Sequence, residues 1–84
     1  MIKQKLKKFI ILFNCPDQQG IVAKITGWLF KQNLNIISME EHVEDKDAEF
    51  FIRIVLISSI KLTENKNFIS NLVKIEKMFN GQFS

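Results

Sequence analysis

Phe9-Ile-Ile-Leu-Phe13, followed by Asn14 and then by Cys15-Pro16-Asp17-Gln18-Gln19-Gly20, is the stretch whose reading decides the fold. Five consecutive apolar residues suit a strand buried on both faces, which we place over about residues 8–14. Downstream, Ile21, Val22, Ile25, Trp28 and Leu29 recur at helical spacing. Pro16 and Asp17 are expected to start that helix, and Gly20 to let another backbone or a ligand come close. A strand feeding a helix N-terminus leaves free N–H groups that accept an anion. The junction therefore points to a binding module.

Working outward, the helix is expected to run from Asp17 or Gln18 to Gln32, with Asn33 as a left-handed cap. Gly27 in its interior costs roughly 1 kcal/mol against Ala, which suggests close packing against a sheet. Residues 34–43 read as a second strand, with Ile37, Met39 and Val43 on one face and Glu41 as the exception. Ser38, Glu40 and His42 fall on the other face. Glu44-Asp45-Lys46-Asp47 suits a hairpin connection. A third strand follows over Glu49–Ile57, with Phe50, Ile52, Ile54 and Leu56 toward the core. Phe51, Arg53, Val55 and Ile57 lie on its opposite face. A second helix should start near Thr63 or Asn65 and end at Phe79, with Phe68, Leu72, Ile75 and Phe79 as its stripe. Asn80-Gly81 stops it. Gln82-Phe83-Ser84 are the opening residues of a further strand.

The order strand, helix, strand, strand, helix, short strand is the α+β, ferredoxin-like β-α-β-β-α-β plan. It implies an antiparallel sheet with both helices on one face and a last strand that is short or truncated. The other sheet face carries Phe51, Val55 and Ile57 and needs a partner, either a second copy or another domain. The abrupt end after the second helix suggests a piece of something longer.

A chain of 84 residues allows one domain, spanning 1–84. Hydrophobic residues at 46% and charged residues at 25% exclude disorder. The net charge of +3 owes much to Lys3, Lys5, Lys7 and Lys8, ahead of the first strand. Without interleaved arginine or aromatic residues they read as a solvated leader rather than a nucleic-acid or lipid footprint. The single cysteine excludes an internal disulfide and fits a reducing cytosol. The first apolar run is too short for a signal peptide or a membrane span. A cytoplasmic protein that engages neither membrane nor nucleic acid is expected.

No catalytic constellation is present. His42 is the only histidine and has no Cys or His at metal-ligand spacing, so no metal site is expected. Among Glu40, Glu41 and Glu44 it reads as a surface residue. Cys15 reads as a small residue at a tight turn rather than a nucleophile. No Gly-x-Gly-x-x-Gly or P-loop occurs. RNA-recognition modules share this plan but place Lys/Arg-Gly before the aromatics of the third strand. Here Arg53 follows Phe50 and Phe51 instead. One candidate remains: Asp17 for an ammonium group, with the amides of Gln19 to Ile21 for a carboxylate. Spacing alone leaves two readings open, an amino-acid site or Asp17 as a simple N-cap.

The chain resembles an ACT domain, and in particular the N-terminal ACT domain of formyltetrahydrofolate deformylase. Cys15-Pro16-Asp17-Gln18, Gly20-Ile21-Val22-Ala23, Ile25, Asn35-Ile36 and Phe50-Phe51-Ile52-Arg53 carry the resemblance. It implies a regulatory domain of a hydrolase that releases formate from 10-formyltetrahydrofolate, serving purine synthesis and one-carbon balance. The catalytic Asn, His and Asp of that family lie in a formyltransferase-like domain outside this chain. The chain itself would then be non-catalytic and hold no cofactor, since folate binds the other domain. The resemblance also implies a homodimer or higher oligomer and a small amino-acid effector, methionine or glycine. The effector would sit between Asp17, Gln18, Gln19, Gly20 and Ile21 of one copy and Asn35 and Ile36 of another. The alternatives are a free-standing ACT amino-acid sensor that docks on a protein partner and, in a different class, an RNA-binding domain.

Overall fold

A computed structural model describes residues 6–32 and 34–84. The chain runs β1 (Lys7–Pro16), α1 (Ile21–Lys31), β2 (Asn35–Glu44), β3 (Glu49–Ser58), a 3-10 turn at Leu62–Glu64, α2 (Lys66–Phe79) and β4 (Gln82–Phe83). The strands form one antiparallel sheet in the order β2-β3-β1-β4. This is the ferredoxin-like α+β plan expected from the sequence, with a fourth strand only two residues long.

The central pair is continuous. β1 and β3 stay in register from Lys7↔Ser58 to Pro16↔Glu49. Because side chains alternate along a strand, Phe9, Ile11, Phe13 and Cys15 share one face with Leu56, Ile54, Ile52 and Phe50. Both helices cover that face. Ile21, Ile25, Trp28 and Leu29 of α1 and Phe68, Ile75 and Phe79 of α2 are buried in the same cluster. The rings of Trp28 and Phe68, 5.0 Å apart, join the two helices. Burial of each large side chain is worth about 1.5–3 kcal/mol, so the cluster is what holds an 84-residue chain together.

α2 is capped as its sequence suggests. Asn65 takes the N-cap position and its side chain accepts from the Phe68 N–H at 2.9 Å. Asn80 is left-handed at φ 55°, and the Gly81 N–H donates to the Glu76 carbonyl at 2.9 Å. That closure of the last helical turn is of the Schellman type. The Glu76 carboxylate then accepts from the Phe83 N–H at 2.8 Å, and the Ser84 N–H donates to the Leu12 carbonyl. β4 is thereby seated beside Phe13 and Asn14.

Four local expectations need correcting. α1 begins at Ile21 and its N-cap is Gly20, with no side-chain cap, so Asp17 does not cap it. Pro16 is still paired with Glu49 in the sheet, and the chain therefore needs residues 17–20 to leave it. In β2 the simple alternation fails. The register shifts between Ile36 and Ser38, so Ile36 opposes Leu56 and packs on the core, while Ile37 is left over as the extra residue of a bulge. Gly27 is not packed on the sheet, since a Cβ there would meet nothing within 4 Å. Lys7 and Lys8 belong to β1 instead of preceding it. The expected cap at Asn33 lies outside the described residues, as do Lys3 and Lys5.

The close approach that Gly27 lacks occurs at Gly81. A Cβ there would lie 2.5 Å from the Phe13 ring, 2.6 Å from the Asn14 carbonyl and 2.7 Å from Cys15 Cβ. A main-chain carbonyl cannot swing aside as a side chain can. Gly81→Ala is expected to destabilise by the upper part of the ~1–3 kcal/mol range for overpacking. Gly27→Ala is expected to stabilise by up to ~1 kcal/mol. Urea denaturation of the two variants checks both signs.

Candidate functional site

The turn between β1 and α1 is built from three directions. The Asp17 N–H donates to the Ala48 carbonyl at 2.7 Å, tying the turn to the β2–β3 connection. Ala48 is itself left-handed at φ 50°, which turns that connection back toward β1. The Gln18 amide donates to the Pro16 carbonyl at 2.8 Å and to the Phe79 carbonyl at 3.0 Å. Phe79 is the last residue of α2, so Gln18 satisfies a carbonyl that the helix end leaves free. Gly20 then turns at φ 87°, a conformation that only glycine adopts without strain, and α1 starts.

This arrangement leaves the first turn of α1 open. No side chain caps it, no acidic residue stands in it, and its first main-chain bond is from the Lys24 N–H to the Gly20 carbonyl. The N–H groups of Ile21, Val22 and Ala23 therefore carry the positive end of the helix dipole with no protein carboxylate on it. Asp17, Gln19 and Gly20 are exposed beside them, whereas the Ile21 side chain is buried. Chemically the turn offers donors for a carboxylate and a nearby carboxylate for an ammonium group.

Asn35 and Ile36 are elsewhere. Asn35 is exposed and opposite Ile57, and Ile36 is half-buried on the core. Asp17 lies beside Ala48, just before Glu49, so eight strand positions, about 27 Å, separate the two groups along β3. One copy of the chain does not bring them together.

Next to Asn35 lies a feature that the sequence reading passed over. Phe30 is 81% exposed. With Ala23, Thr26, Leu34, Asn35 and Ile36 it lines an open hollow of about 660 Å³ along the outer side of α1. The signal was present in the sequence, because Phe30 is a large apolar residue off the buried stripe of α1. The Phe30 ring is the large apolar wall of that hollow.

Cys15 sits under the turn and is 1% exposed. Burial raises its thiol pKa above 9.0, the nearby charges of Glu49 and Asp17 push it the same way, and a hydrogen bond with Gln18 opposes them. It is a packed thiol rather than an activated one. His42 is exposed, 3.9 Å from Glu44, and stacks on Phe51 at 6.5 Å between ring centroids. Among the described residues no group of three His, Cys, Asp or Glu side chains is placed to hold a metal ion, and no helix is long and apolar enough to cross a membrane.

Comparison with known proteins places this geometry. No family model matches the chain. Over 48 residues it is 42% identical to the formyltetrahydrofolate deformylase of Haemophilus influenzae, a match covering 57% of this chain and 17% of that one. The structure superposes on a formyltetrahydrofolate deformylase from Pseudomonas syringae pv. tomato with a TM-score of 0.81 and 25% identity, over 92% of this chain and 26% of that one. It superposes on an ACT domain protein from Streptococcus pneumoniae with a TM-score of 0.72 and 26% identity, covering 92% of this chain and 84% of that one. The fold is that of an ACT domain. The chain's sequence likeness is to the ACT domain of formyltetrahydrofolate deformylases, and the chain spans about a quarter of the length of the solved enzyme from Pseudomonas syringae.

The ACT turn makes two predictions. Asp17→Ala is expected to change stability by less than ~0.5 kcal/mol, because Asp17 contributes its main chain and not a cap, whereas Asn65→Ala is expected to cost ~1 kcal/mol. Chemical denaturation separates them. For Cys15, the folded thiol holds its proton to higher pH than the unfolded one. Its contribution is therefore complete at neutral pH and is lost as pH rises through the elevated folded value. Stability followed from pH 7 into the alkaline range is expected to fall in the wild type and to fall less in Cys15→Ala.

Proposed function

We propose that this ACT domain is the regulatory part of a formyltetrahydrofolate deformylase, and that it senses a small amino acid. The parent enzyme would hydrolyse 10-formyltetrahydrofolate to formate and tetrahydrofolate in the cytoplasm, supplying purine synthesis and one-carbon balance. Folate and the reacting groups would belong to a formyltransferase-like domain outside these 84 residues, and this chain would need no cofactor. The observation that carries the reading is the uncapped first turn of α1 behind the left-handed Gly20.

In this reading the effector carboxylate takes the N–H groups at the start of α1, and Asp17 takes the ammonium group. Gln18 and Gln19 complete the turn, Gln18 by holding it against Pro16 and Phe79. The ~27 Å between this turn and Asn35 within one copy is the reason for a dimer: a partner's Asn35 and Ile36 supply the other wall. Phe30, exposed beside Asn35, adds apolar area to that contact. Methionine and glycine are the effectors to try first, on the strength of the family likeness.

A second reading is favoured by the Streptococcus pneumoniae protein, of which the match covers 84%. In it the domain stands alone as an amino-acid sensor and acts by docking on a protein partner. The binding chemistry is the same in both readings. The size of the native polypeptide, detected with an antibody against this domain, separates them.

Calorimetric titration of the chain with methionine and with glycine tests the site itself. Asp17→Ala and Asn35→Ala are each expected to weaken binding by about tenfold, the loss of one charge-assisted or partly buried hydrogen bond. Unchanged binding in both variants overturns the assignment.

A further inference from the structure

α1 and α2 meet at the Trp28–Phe68 ring pair, and beside that pair a groove opens between the two helices. Its volume is about 410 Å³, within the usual range of small-molecule sites. Ala23, Gly27 and Met78 give it an apolar floor, with Trp28 and Ile75 buried beneath. Lys24 and Lys31 border it from α1 and Lys74 from α2.

The charge here is one-sided. No carboxylate lines the groove. The one acidic residue on either helix is Glu76, and its carboxylate is engaged by the Phe83 N–H on the β4 side. Most of the chain's acidic residues lie instead between Glu40 and Glu49. Among the described residues none of the three groove lysines takes part in an ion pair. Gly27 is the second peculiarity. Glycine inside a helix costs roughly 1 kcal/mol against alanine, and nothing in the fold asks for it, since a Cβ there meets nothing within 4 Å. Its missing side chain bares the helix backbone on the groove floor, which lets a flat ring come close. Trp28 adds a third. Its indole N–H is buried with no acceptor among the described residues, a donor that the fold leaves unsatisfied in a residue lining the groove.

We propose that this groove binds a nucleoside di- or triphosphate. The planar base lies on the floor of Ala23 and Gly27, against the Met78 thioether. The phosphates take Lys31 and Lys74, and Lys24 is the third ammonium group for a longer chain. A polyphosphate is the compact group whose charge matches several converging ammonium groups. A lone carboxylate would leave most of that charge uncompensated, and a bare polyphosphate would leave the apolar floor in water. The Asn71 amide donates to the Asn67 carbonyl, so its side-chain oxygen is left to accept from a sugar hydroxyl or an exocyclic amino group. This site is separate from the β1–α1 turn and does not rest on the amino-acid reading.

Trp28 is the sole tryptophan, so its fluorescence reports on the groove. Titration of the protein with ATP at physiological ionic strength, followed by fluorescence and by heat, is expected to saturate. Adenosine and inorganic pyrophosphate are each expected to bind weaker by on the order of tenfold, since each fills half of the site. Lys31→Glu and Lys74→Glu are each expected to raise the ATP dissociation constant by on the order of tenfold, and Lys31→Arg to keep it within about threefold. Gly27→Leu fills the floor without altering charge. It is expected to raise the dissociation constant by on the order of tenfold while the urea midpoint does not fall. Asp17→Ala is expected to change it by less than about twofold, because ATP held on the free N–H groups of α1 would bind more tightly once that carboxylate is gone. The urea midpoint confirms that each variant is folded. No saturation with ATP, unaffected Lys31→Glu and Lys74→Glu variants, or tighter binding by Asp17→Ala overturns the proposal. Pyrophosphate binding as tightly as ATP, or an unaffected Gly27→Leu variant, overturns it as well, since either means only diffuse attraction of lysines for a polyanion. Titration with methionine and glycine is read independently and succeeds or fails without reference to this groove.

Discussion

Ten residues of β1 lie against ten of β3 without a slip, and the rest of the molecule is arranged around that register. A shift of one position would send Phe9, Ile11, Phe13 and Cys15 to the outer face and bring Lys8 and Asn14 under the helices. The cost of burying those polar groups, several kcal/mol each, fixes the pairing. With the register fixed, the helices have one place to bury their stripes. β2 attaches through a short turn, and β4 has only the end of β1 left to join.

The same pairing determines what the β1–α1 turn can be. Pro16 is held opposite Glu49, so the chain must leave the sheet next to the β2–β3 connection. It is caught there by the Ala48 carbonyl, by the end of α2 through Gln18, and by Gly81 pressed on Phe13, Asn14 and Cys15. Elements distant in sequence thus meet beneath one short turn. A ligand on the N–H groups of α1 would act on a point where the end of the sheet's first strand, the β2–β3 connection and the last helix are mechanically joined. That is a suitable place for a small molecule to bias how the domain sits against its neighbours.

Much of this was legible in the residues, and the misses share a cause. The apolar faces of β1 and β3 and the stripes of α1 and α2 follow from periodicity, because burial by area depends on spacing and little else. Asn65 and Asn80-Gly81 were legible because caps are local chemistry. Asp17 misled because the rule that favours it at an N-cap says nothing of a strand that continues through Pro16. Gly27 misled, because the close approach expected of it occurs at Gly81 instead. Each carries no Cβ, and only the tertiary structure tells which one a neighbour needs empty. The bulge at Ile37 left no mark in a sequence where Ile36 and Ile37 are the same residue. Of the candidate site, the turn was visible, while its separation from Asn35 depends on the sheet topology and was not.

The strand order also carries a consequence for how the chain assembles as it is made. β1 is synthesised first, yet its full-length neighbour is β3, which is complete only at Ser58. Until then Phe9, Ile11 and Phe13 have no face to cover, and α1 has no sheet to rest on. β2 and β3, joined by four residues, can close with little loop entropy as soon as they emerge. The later half of the chain therefore builds the template on which the earlier half is laid. The apolar strand β1 stays uncovered until β3 has been made.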